Sequence, residues 1–395
     1  MAEGNGALTE RELARTRESV ALRFVEHVDE IVRIAETPAP PFGEERRARY
    51  VLGRMAEIGL DSPRLDAEGN AIAELAAPHA NLDPQPTIVV AAHLDTVFPE
   101  DTDVTVTREN GRLRGPGVGD NAANLSAMLT AARILVAEGG ISEGRLVFVG
   151  TVGEEGLGNL RGMRRLMADR GDRVDAVVCV DGLLGTVVTA GVGSLRLRIT
   201  ARGPGGHAFG DFGRPSAVEA LARFVASLGA LELPRRPRTT YNVGTFRGGD
   251  AINAIASHAE IFVDLRSESA AELARLTARF DALLADAHRA ESPEIELGRE
   301  VVGDRPAGTT PPRSPLVRTV RRALKQVGRR PRLTKSSTDA NVPMSLGIPA
   351  VTFGTYVGQG AHTRDEEIRL AGMDAGIAAL VLCLRDLTGG RSRGS

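Results

Sequence analysis

The feature that most constrains the fold is a short apolar stretch that ends in two polar residues suited to metal binding. Residues 87–97 read TIVVAAHLDTV, in which six β-branched or small residues precede His93 and Asp95. Such an apolar run after Pro86 is typical of a buried strand. Ligands bind beyond the carboxyl ends of strands in open α/β sheets, so the pattern places His93 at a ligand-binding edge. Asp95 can then accept a hydrogen bond from the far ring nitrogen of His93 and orient the imidazole.

Strands and helices alternate through the first half of the chain and again near its end. Residues 87–92, 145–152 and 174–180 have the apolar character of buried strands, and amphipathic or alanine-rich segments separate them. Strands that alternate with helices are typical of a parallel sheet covered on both faces. The sequence therefore predicts an α/β fold with a mainly parallel sheet and helices on both sides.

The middle of the chain follows a different pattern. Residues 194–302 alternate polar and apolar positions in their strands and have the order β-α-β-β-α-β, which is typical of a ferredoxin-like domain. A chain of 395 residues also exceeds the roughly 250–300 residues at which single cores stop growing. We therefore predict that residues 193–303 form a second domain, inserted into a first domain made of residues 1–192 and 304–395.

Composition and charge restrict the classes of partner. The chain is 42% hydrophobic and 25% charged, with a net charge of −2, which gives no reason to expect nucleic acid or an anionic membrane as a partner. Cys179 and Cys383 lie in apolar runs and are expected to be buried free thiols of a reducing compartment. The first 20 residues lack the apolar core of a secretory signal, and no apolar run approaches the roughly 20 residues of a membrane span. A cytoplasmic protein is expected.

Several acids and a second histidine occupy positions comparable to that of His93. They follow predicted strands or lie in glycine-rich loops: Asp120, Glu154, Glu155, Asp181 and His362. Mixed nitrogen and oxygen ligands suit zinc, and cobalt and manganese accept similar sets. Five ligands exceed the needs of one tetrahedral zinc, but they suit two metals that share a carboxylate and activate a bridging water.

Each of these residues also has an ordinary interpretation when taken alone. A histidine after a strand is commonly a loop or capping residue, and a pair of glutamates is commonly solvated surface. Asp120 before a helix fits an N-cap, and Asp181 followed by glycine fits a turn. Their joint placement at strand ends favours the metal site.

Ordered motifs around these residues resemble one family of enzymes. The chain contains HLDTV, GPGVGDN, GEEGLGN, VDG, GPGGHAFG, GGDAINAIASHAEIFVDLR, SSTDANVP and GAHTRDEE in this order. This set resembles the dinuclear zinc exopeptidases and deacylases that include peptidase T, glutamate carboxypeptidase, acetylornithine deacetylase and succinyl-diaminopimelate desuccinylase. The resemblance runs from about residue 31 to the end of the chain.

The resemblance implies a role for each matched residue of the metal site. His93, Asp120 and Asp181 would bind one zinc ion. Asp120, Glu155 and His362 would bind a second, so that each subunit holds two Zn²⁺ ions with Asp120 between them. Asp95 would orient His93, and Glu154 would be the general base. Residues 1–192 and 304–395 would then form the catalytic zinc domain.

The resemblance also implies a role for the inserted domain. In the family this domain is a lid that carries the interface of a homodimer, and a lid histidine reaches the active site of the neighbouring subunit. That histidine corresponds to His207. The lid asparagine and arginine of the family correspond to Asn253 and Arg266, which would bind the oxyanion or carboxylate end of the substrate.

The chain departs from the common pattern of this family at two positions that bear on the choice of substrate. The run after the bridging aspartate reads DNAAN, which is similar to a variant found in some members like peptidase T. Asp181 stands where some relatives have glutamate, and aspartate at this position favours the aminopeptidase-like members.

The leading hypothesis is a zinc exopeptidase that acts on short peptides and resembles peptidase T, and an N-acyl-amino-acid deacylase is the alternative. Phe209 and Phe212 near His207 either favour an apolar substrate group or, as is commoner for loop phenylalanines, contribute to packing.

A third hypothesis is a peptide-binding protein without catalysis. The presence of Glu154 and of every predicted metal ligand argues against it. A protein that had lost its activity would be expected to keep its fold while those residues were replaced by other types.

Overall fold

The computed structural model describes residues 10–78 and 85–389, which form two compact units. The second unit is Val192–Gly308, and the first unit contains the described residues that come before and after it in the chain. The inserted segment ends later than residue 303, because its last strand continues to Arg305. Within the described ranges, no helix combines the length and apolar character that crossing a bilayer requires.

The helices are mostly amphipathic and bury one side. In chain order they are α1 (Glu10–Ala35), α2 (Glu45–Ile58), α3 (Asn124–Ala137), α4 (Arg161–Arg170), α5 (Ala217–Leu228), α6 (Ala270–Ala290), α7 (Pro315–Gln326), α8 (Asn341–Ser345) and α9 (Met373–Leu387).

Within residues 10–78 and 85–389, the strands divide among a large sheet and three smaller ones. In chain order they are β1 (Asp61–Leu65), β2 (Ala71–Ala76), β3 (Thr87–His93), β4 (Thr107–Glu109), β5 (Arg112–Arg114), β6 (Arg145–Thr151), β7 (Ala176–Leu184), β8 (Thr186–Gly191), β9 (Gly193–Arg202), β10 (Gly206–His207), β11 (Thr239–Gly248), β12 (Ala254–Ile255), β13 (His258–Ser267), β14 (Glu296–Arg305), β15 (Gly308–Thr309), β16 (Arg332–Ser336), β17 (Ala350–Gly354), β18 (Val357–Gln359) and β19 (Glu367–Arg369).

The large sheet has a parallel centre and antiparallel flanks. Its strand order is β1-β2-β6-β3-β7-β17-β8-β15, with β16 also paired to β8. Strand β3 pairs in parallel with both β6 and β7, and β17 pairs in parallel with β7. Strands β2 and β8 join this centre in antiparallel orientation. The α/β prediction is confirmed, with a sheet that is parallel at its centre.

Helices cover both faces of this sheet, as alternate residues of β3 show. Ile88 and Val90 belong to a core that α1, α2, α3, α7 and α9 share. Val89 and Ala91 point the other way and belong to a second core, which contains residues of α4 and α8. Successive side chains of a strand point to opposite faces, so a strand that is buried on both sides is continuously apolar.

The second unit has the predicted ferredoxin-like order. Its sheet runs β11-β13-β9-β14 and is antiparallel throughout, with α5 after β9 and α6 after β13. The two helices pack on one face of this sheet, where Phe224 and Phe280 meet edge to face at 5.3 Å between ring centroids. The β-α-β-β-α-β prediction is confirmed.

Candidate metal centre

The parallel centre of the large sheet brings three predicted site segments to one edge. Strand β3 ends at His93, β6 ends at Thr151 just before Glu154 and Glu155, and β7 contains Asp181 near its end. Because β3 lies between β6 and β7, the segment with Glu154 and Glu155 lies on one side of His93 and Asp181 lies on the other. The placement follows from the parallel pairing, since the carboxyl ends of parallel strands share an edge.

Asp120 reaches this edge from an irregular turn, Val118–Ala123, that precedes α3. The backbone there is not helical at Asp120 or Asn121, and the regular helix begins at Asn124. Gly119 allows a close approach here, because a Cβ atom at this position would lie 2.6 Å from Oε1 of Glu366 and 2.8 Å from the ring of Tyr356. The backbone N–H of Asp120 donates to the same Glu366 oxygen over 2.9 Å.

The carboxylate of Asp120 lies between two imidazoles. Its Oδ1 is 3.0 Å from Nε2 of His93, and its Oδ2 is 3.1 Å from Nε2 of His362. Nε2 of His93 is also 3.9 Å from Oδ1 of Asp181, and Nε2 of His362 is 3.0 Å from Oε1 of Glu155. One carboxylate therefore joins two clusters of ligand atoms.

The donor atoms fit a pair of divalent metals. Two sets bring their ligand atoms within 4.8 Å of one another: His93 with Asp120 and Asp181, and His362 with Asp120 and Glu155. Each set offers one imidazole nitrogen and two carboxylate groups, a combination of donors that zinc accepts. A third set, His93 with Glu154 and Glu155, meets the same distance limit and offers an alternative for a single ion.

His93 is oriented by Asp95, through the backbone carbonyl of Asp95 rather than through its carboxylate. Its Nδ1 is 2.9 Å from the backbone carbonyl of Asp95 and 3.8 Å from the carboxylate. The carboxylate instead accepts the backbone N–H groups of Glu154 and Glu155, over 3.0 and 2.7 Å. A carbonyl can only accept, so Nδ1 carries a hydrogen, and in the neutral ring Nε2 is the nitrogen whose lone pair can bind a metal.

The acids and imidazoles shift one another's pKa values. Burial opposes protonation of His93, yet the hydrogen bond with Asp120 and its charge raise the pKa of His93 well above its ordinary value. Burial acts against ionisation of Asp120, but hydrogen bonds from His362 and His93 hold its pKa below the usual range. Burial and the charge of Asp120 raise the pKa of Asp181 to about 7. Hydrogen bonds with Asp120 and Glu155 raise the pKa of His362 to about 10.

Glu154 and Glu155 are both buried beside His93, whereas His362 is exposed. His362 lies between β18 and β19 with a φ of 66°, a left-handed conformation that is uncommon for a residue other than glycine. Its side chain nevertheless contacts Asp120 and Glu155, so the loop holds the imidazole toward the cluster.

Two residues that support the cluster are missing from the sequence-based prediction. Glu366 is buried, and its pKa is raised to about 8 by burial and by the charge of Asp120. Arg47 on α2 is buried and donates to the carbonyl oxygens of Leu94, over 2.6 Å, and Thr37. Glu366 follows His362 by four residues within the GAHTRDEE motif, which is the one signal that marks it. The sequence around Arg47 carries no such signal.

The remaining predicted residues lie in the second unit. His207 is exposed in the two-residue strand β10, which pairs with β12 next to Asn253. Its Nδ1 accepts the backbone N–H groups of Phe209, over 3.3 Å, and Gly210, over 3.1 Å. In the neutral ring the hydrogen is therefore on Nε2, which can donate outward. Arg266 on β13 donates through Nε to Asp264 over 2.7 Å.

Comparison with known proteins identifies a family profile and several relatives. The profile of peptidase family M20/M25/M40 matches residues 89–386. The uncharacterized protein YqjE of Bacillus subtilis is 25% identical over 358 residues, which cover 86% of this chain and 92% of that protein. Succinyl-diaminopimelate desuccinylase of Paraburkholderia xenovorans is 27% identical over 282 residues, or 66% of this chain and 72% of that enzyme.

A solved structure supports the fold. The aminopeptidase PepT of Bacillus cereus superposes with a TM-score of 0.74 and 24% sequence identity, covering 94% of this chain and 98% of that one. The similarity covers residues of both units of the chain, since only 6% of it lies outside the match.

Proposed function

The chain belongs to peptidase family M20/M25/M40, and from this premise we propose that it is a two-zinc exopeptidase that hydrolyses short peptides. Members of the family are hydrolases that act on amide bonds, and the residues of the candidate metal centre suit that chemistry. The observation that carries the proposal is the position of Asp120 between His93 and His362.

In this proposal His93, Asp120 and Asp181 hold one ion, and Asp120, Glu155 and His362 hold the other. Bound zinc ions would lower the pKa of a shared water toward neutrality, which makes hydroxide available as the nucleophile. The clustering of two imidazoles with four carboxylates, Glu154 included, supports this assignment.

Glu154 moves the proton. Its carboxylate accepts a proton from the attacking water and then donates it to the nitrogen of the leaving amine as the C–N bond breaks. The buried position of Glu154 within ligand distance of His93 supports this role. Asp95 holds the backbone of Glu154 and Glu155 in place through its two carboxylate oxygens.

The second unit supplies substrate contacts in the homodimer that we propose. His207 of one subunit donates from Nε2 to the oxyanion that forms on the substrate carbonyl in the neighbouring subunit. Asn253 and Arg266 bind the oxyanion or the carboxylate end of the substrate, for which the planar guanidinium is well shaped. The two backbone donors at Nδ1 of His207 support its role as a donor from the other nitrogen.

A deacylase is the second candidate, because the desuccinylase of Paraburkholderia xenovorans removes an acyl group and resembles this chain. Both reactions cleave an amide, and they differ in whether the amino end of the substrate is free or acylated. We place the reaction in the cytoplasm, where the two buried free thiols, Cys179 and Cys383, stay reduced.

The test is hydrolysis by the zinc-reconstituted protein of free di- and tripeptides and of the same compounds N-acetylated. Cleavage of the free peptides alone supports the exopeptidase, and preference for the acetylated set favours the deacylase. Absence of hydrolysis of both sets by protein with two zinc ions bound would contradict the proposal and return a non-catalytic peptide-binding protein to consideration.

A further inference from the structure

Two phenylalanines next to His207 are almost completely exposed. The exposed fractions are 90% for Phe209 and 91% for Phe212, and Ile252 is fully exposed as well. Packing, the commoner role for loop phenylalanines, is therefore excluded within this chain. Large apolar side chains grouped at a surface mark interaction sites, because each aromatic ring keeps apolar area in water that a ligand would cover.

Backbone hydrogen bonds hold these side chains beside two residues with substrate roles in our proposal. The N–H of Ala208 donates to the carbonyl of Asn253 over 2.9 Å, and His207 pairs with Ala254. Phe209 follows Ala208 directly, and Ile252 precedes Asn253 directly. Exposed apolar residues therefore adjoin a polar pair along two hydrogen-bonded segments of the second unit.

The turn that carries Phe209 is fixed by its own hydrogen bonds. The backbone N–H of His207 donates to Oδ2 of Asp211 over 2.8 Å, and the N–H of Asp211 donates to the carbonyl of His207 over 2.9 Å. Nδ1 of His207 accepts from Phe209 and Gly210. A turn that is ordered before binding loses little conformational freedom on binding, so apolar contacts made there contribute more of their free energy to affinity.

We propose that Phe209, Phe212 and Ile252 contact an apolar group of the substrate beside the scissile amide, so that the enzyme selects substrates with an apolar residue or acyl group there. This inference rests on the proposed function, because it assumes that His207 and Asn253 meet the substrate. It adds the substrate class, which the metal centre does not specify. Ionic or strongly polar groups at that position would leave the phenylalanines in water and gain nothing from them.

The experiment compares matched substrates and two double variants of the full-length, zinc-reconstituted protein. The substrates are tripeptides that carry leucine or serine at the first, second or third residue, each free and N-acetylated. The measured quantity is the ratio of kcat/KM for leucine over serine at each position. One variant combines Phe209→Ser with Phe212→Ser. The control combines Leu22→Ser with Val25→Ser, which changes two exposed apolar residues of α1 in the first unit.

We expect the wild type and the control to prefer leucine by about tenfold or more at one position, since even one methylene in an apolar pocket is worth about 10- to 200-fold. The ratio should fall toward one in the phenylalanine variant. Equal rates on leucine and serine substrates in the wild type, or an unchanged ratio in the variant, would overturn the inference while the proposed function stands.

Two further outcomes are informative. If light scattering shows that the phenylalanine variant is a monomer and the wild type a dimer, a second copy of the chain covers these residues and the inference is overturned. If no tripeptide or N-acetylated tripeptide is hydrolysed, the proposed function fails and the inference fails with it. The preference ratio and the presence of any hydrolysis therefore separate the two claims.

Discussion

The two carboxylate oxygens of Asp120 face two different histidines, His93 at 3.0 Å and His362 at 3.1 Å. The histidines are 269 positions apart in the printed sequence, and one comes from a strand end while the other comes from a loop with left-handed backbone. A single side chain thus joins the two halves of the candidate metal centre. The proposed function depends on this relationship.

Replacement of the proposed proton carrier should separate catalysis from metal binding. In Glu154→Gln we expect kcat to fall by about 10²- to 10⁴-fold, because the amide cannot accept the proton of the attacking water. Zinc content and thermal stability should stay close to wild type. Kinetics and elemental analysis of the same preparation give both quantities. Activity like that of the wild type would remove Glu154 as the base.

Replacement of His207 should impair catalysis without loss of metal. We expect kcat to fall by about 10²- to 10³-fold in His207→Ala, the usual effect of deleting one oxyanion donor. His258→Ala is the matched control, since His258 is an exposed histidine of β13 in the same unit. A loss of zinc in His207→Ala, measured by elemental analysis, would show that His207 has been assigned the wrong role.

Glu366 should affect zinc binding by holding Asp120 in position. Its Oε1 accepts the backbone N–H of Asp120, so Glu366→Ala frees the turn that presents the bridging carboxylate. We expect zinc affinity, measured by competition with a chelator, to fall by about 10- to 100-fold, as is common for residues that orient ligands. Glu367→Ala is the control, because the adjacent Glu367 pairs with Arg112 instead. Equal affinities in both variants would contradict the assignment.

Zinc binding should release protons and weaken as the pH falls. The pKa of His362 is about 10 without metal, and that of His93 is raised well above its ordinary value, so both imidazoles carry an extra proton at pH 7. Each must lose that proton to bind a metal, and Asp181, with a pKa of about 7, must also be ionised. Zinc affinity therefore rises with pH, and about two to three protons leave per chain. Calorimetry in buffers of different ionisation enthalpy counts the released protons. Binding without proton release would be inconsistent with these pKa shifts.

The sequence predicts the strand-end residues of the site because their signal is local. The apolar run before His93 and the runs before Glu154 and Asp181 identify buried strands, and parallel pairing then brings their ends together. The ferredoxin-like order of the second unit is recognisable for the same reason, since its strands alternate polar and apolar residues.

Other features depend on contacts that no local pattern contains. The contact of Glu366 with Asp120 spans 246 positions, and Arg47 reaches Leu94 across 47. Which atom of Asp95 contacts His93 depends on the local path of the backbone after β3, which residue spacing alone does not specify. The exposure of Phe209 is likewise a property of the folded surface. Sequence reasoning favours packing for such a residue because most loop phenylalanines are buried.

The most direct test of the central claim is the anomalous scattering of zinc in crystals of the zinc-loaded protein. We predict two peaks per chain, one beside His93 and Asp181 and the other beside His362 and Glu155, with Asp120 in contact with both ions. A single peak held by His93, Glu154 and Glu155 would contradict the account, because Glu154 would then be a ligand and Asp120 would not join two metals.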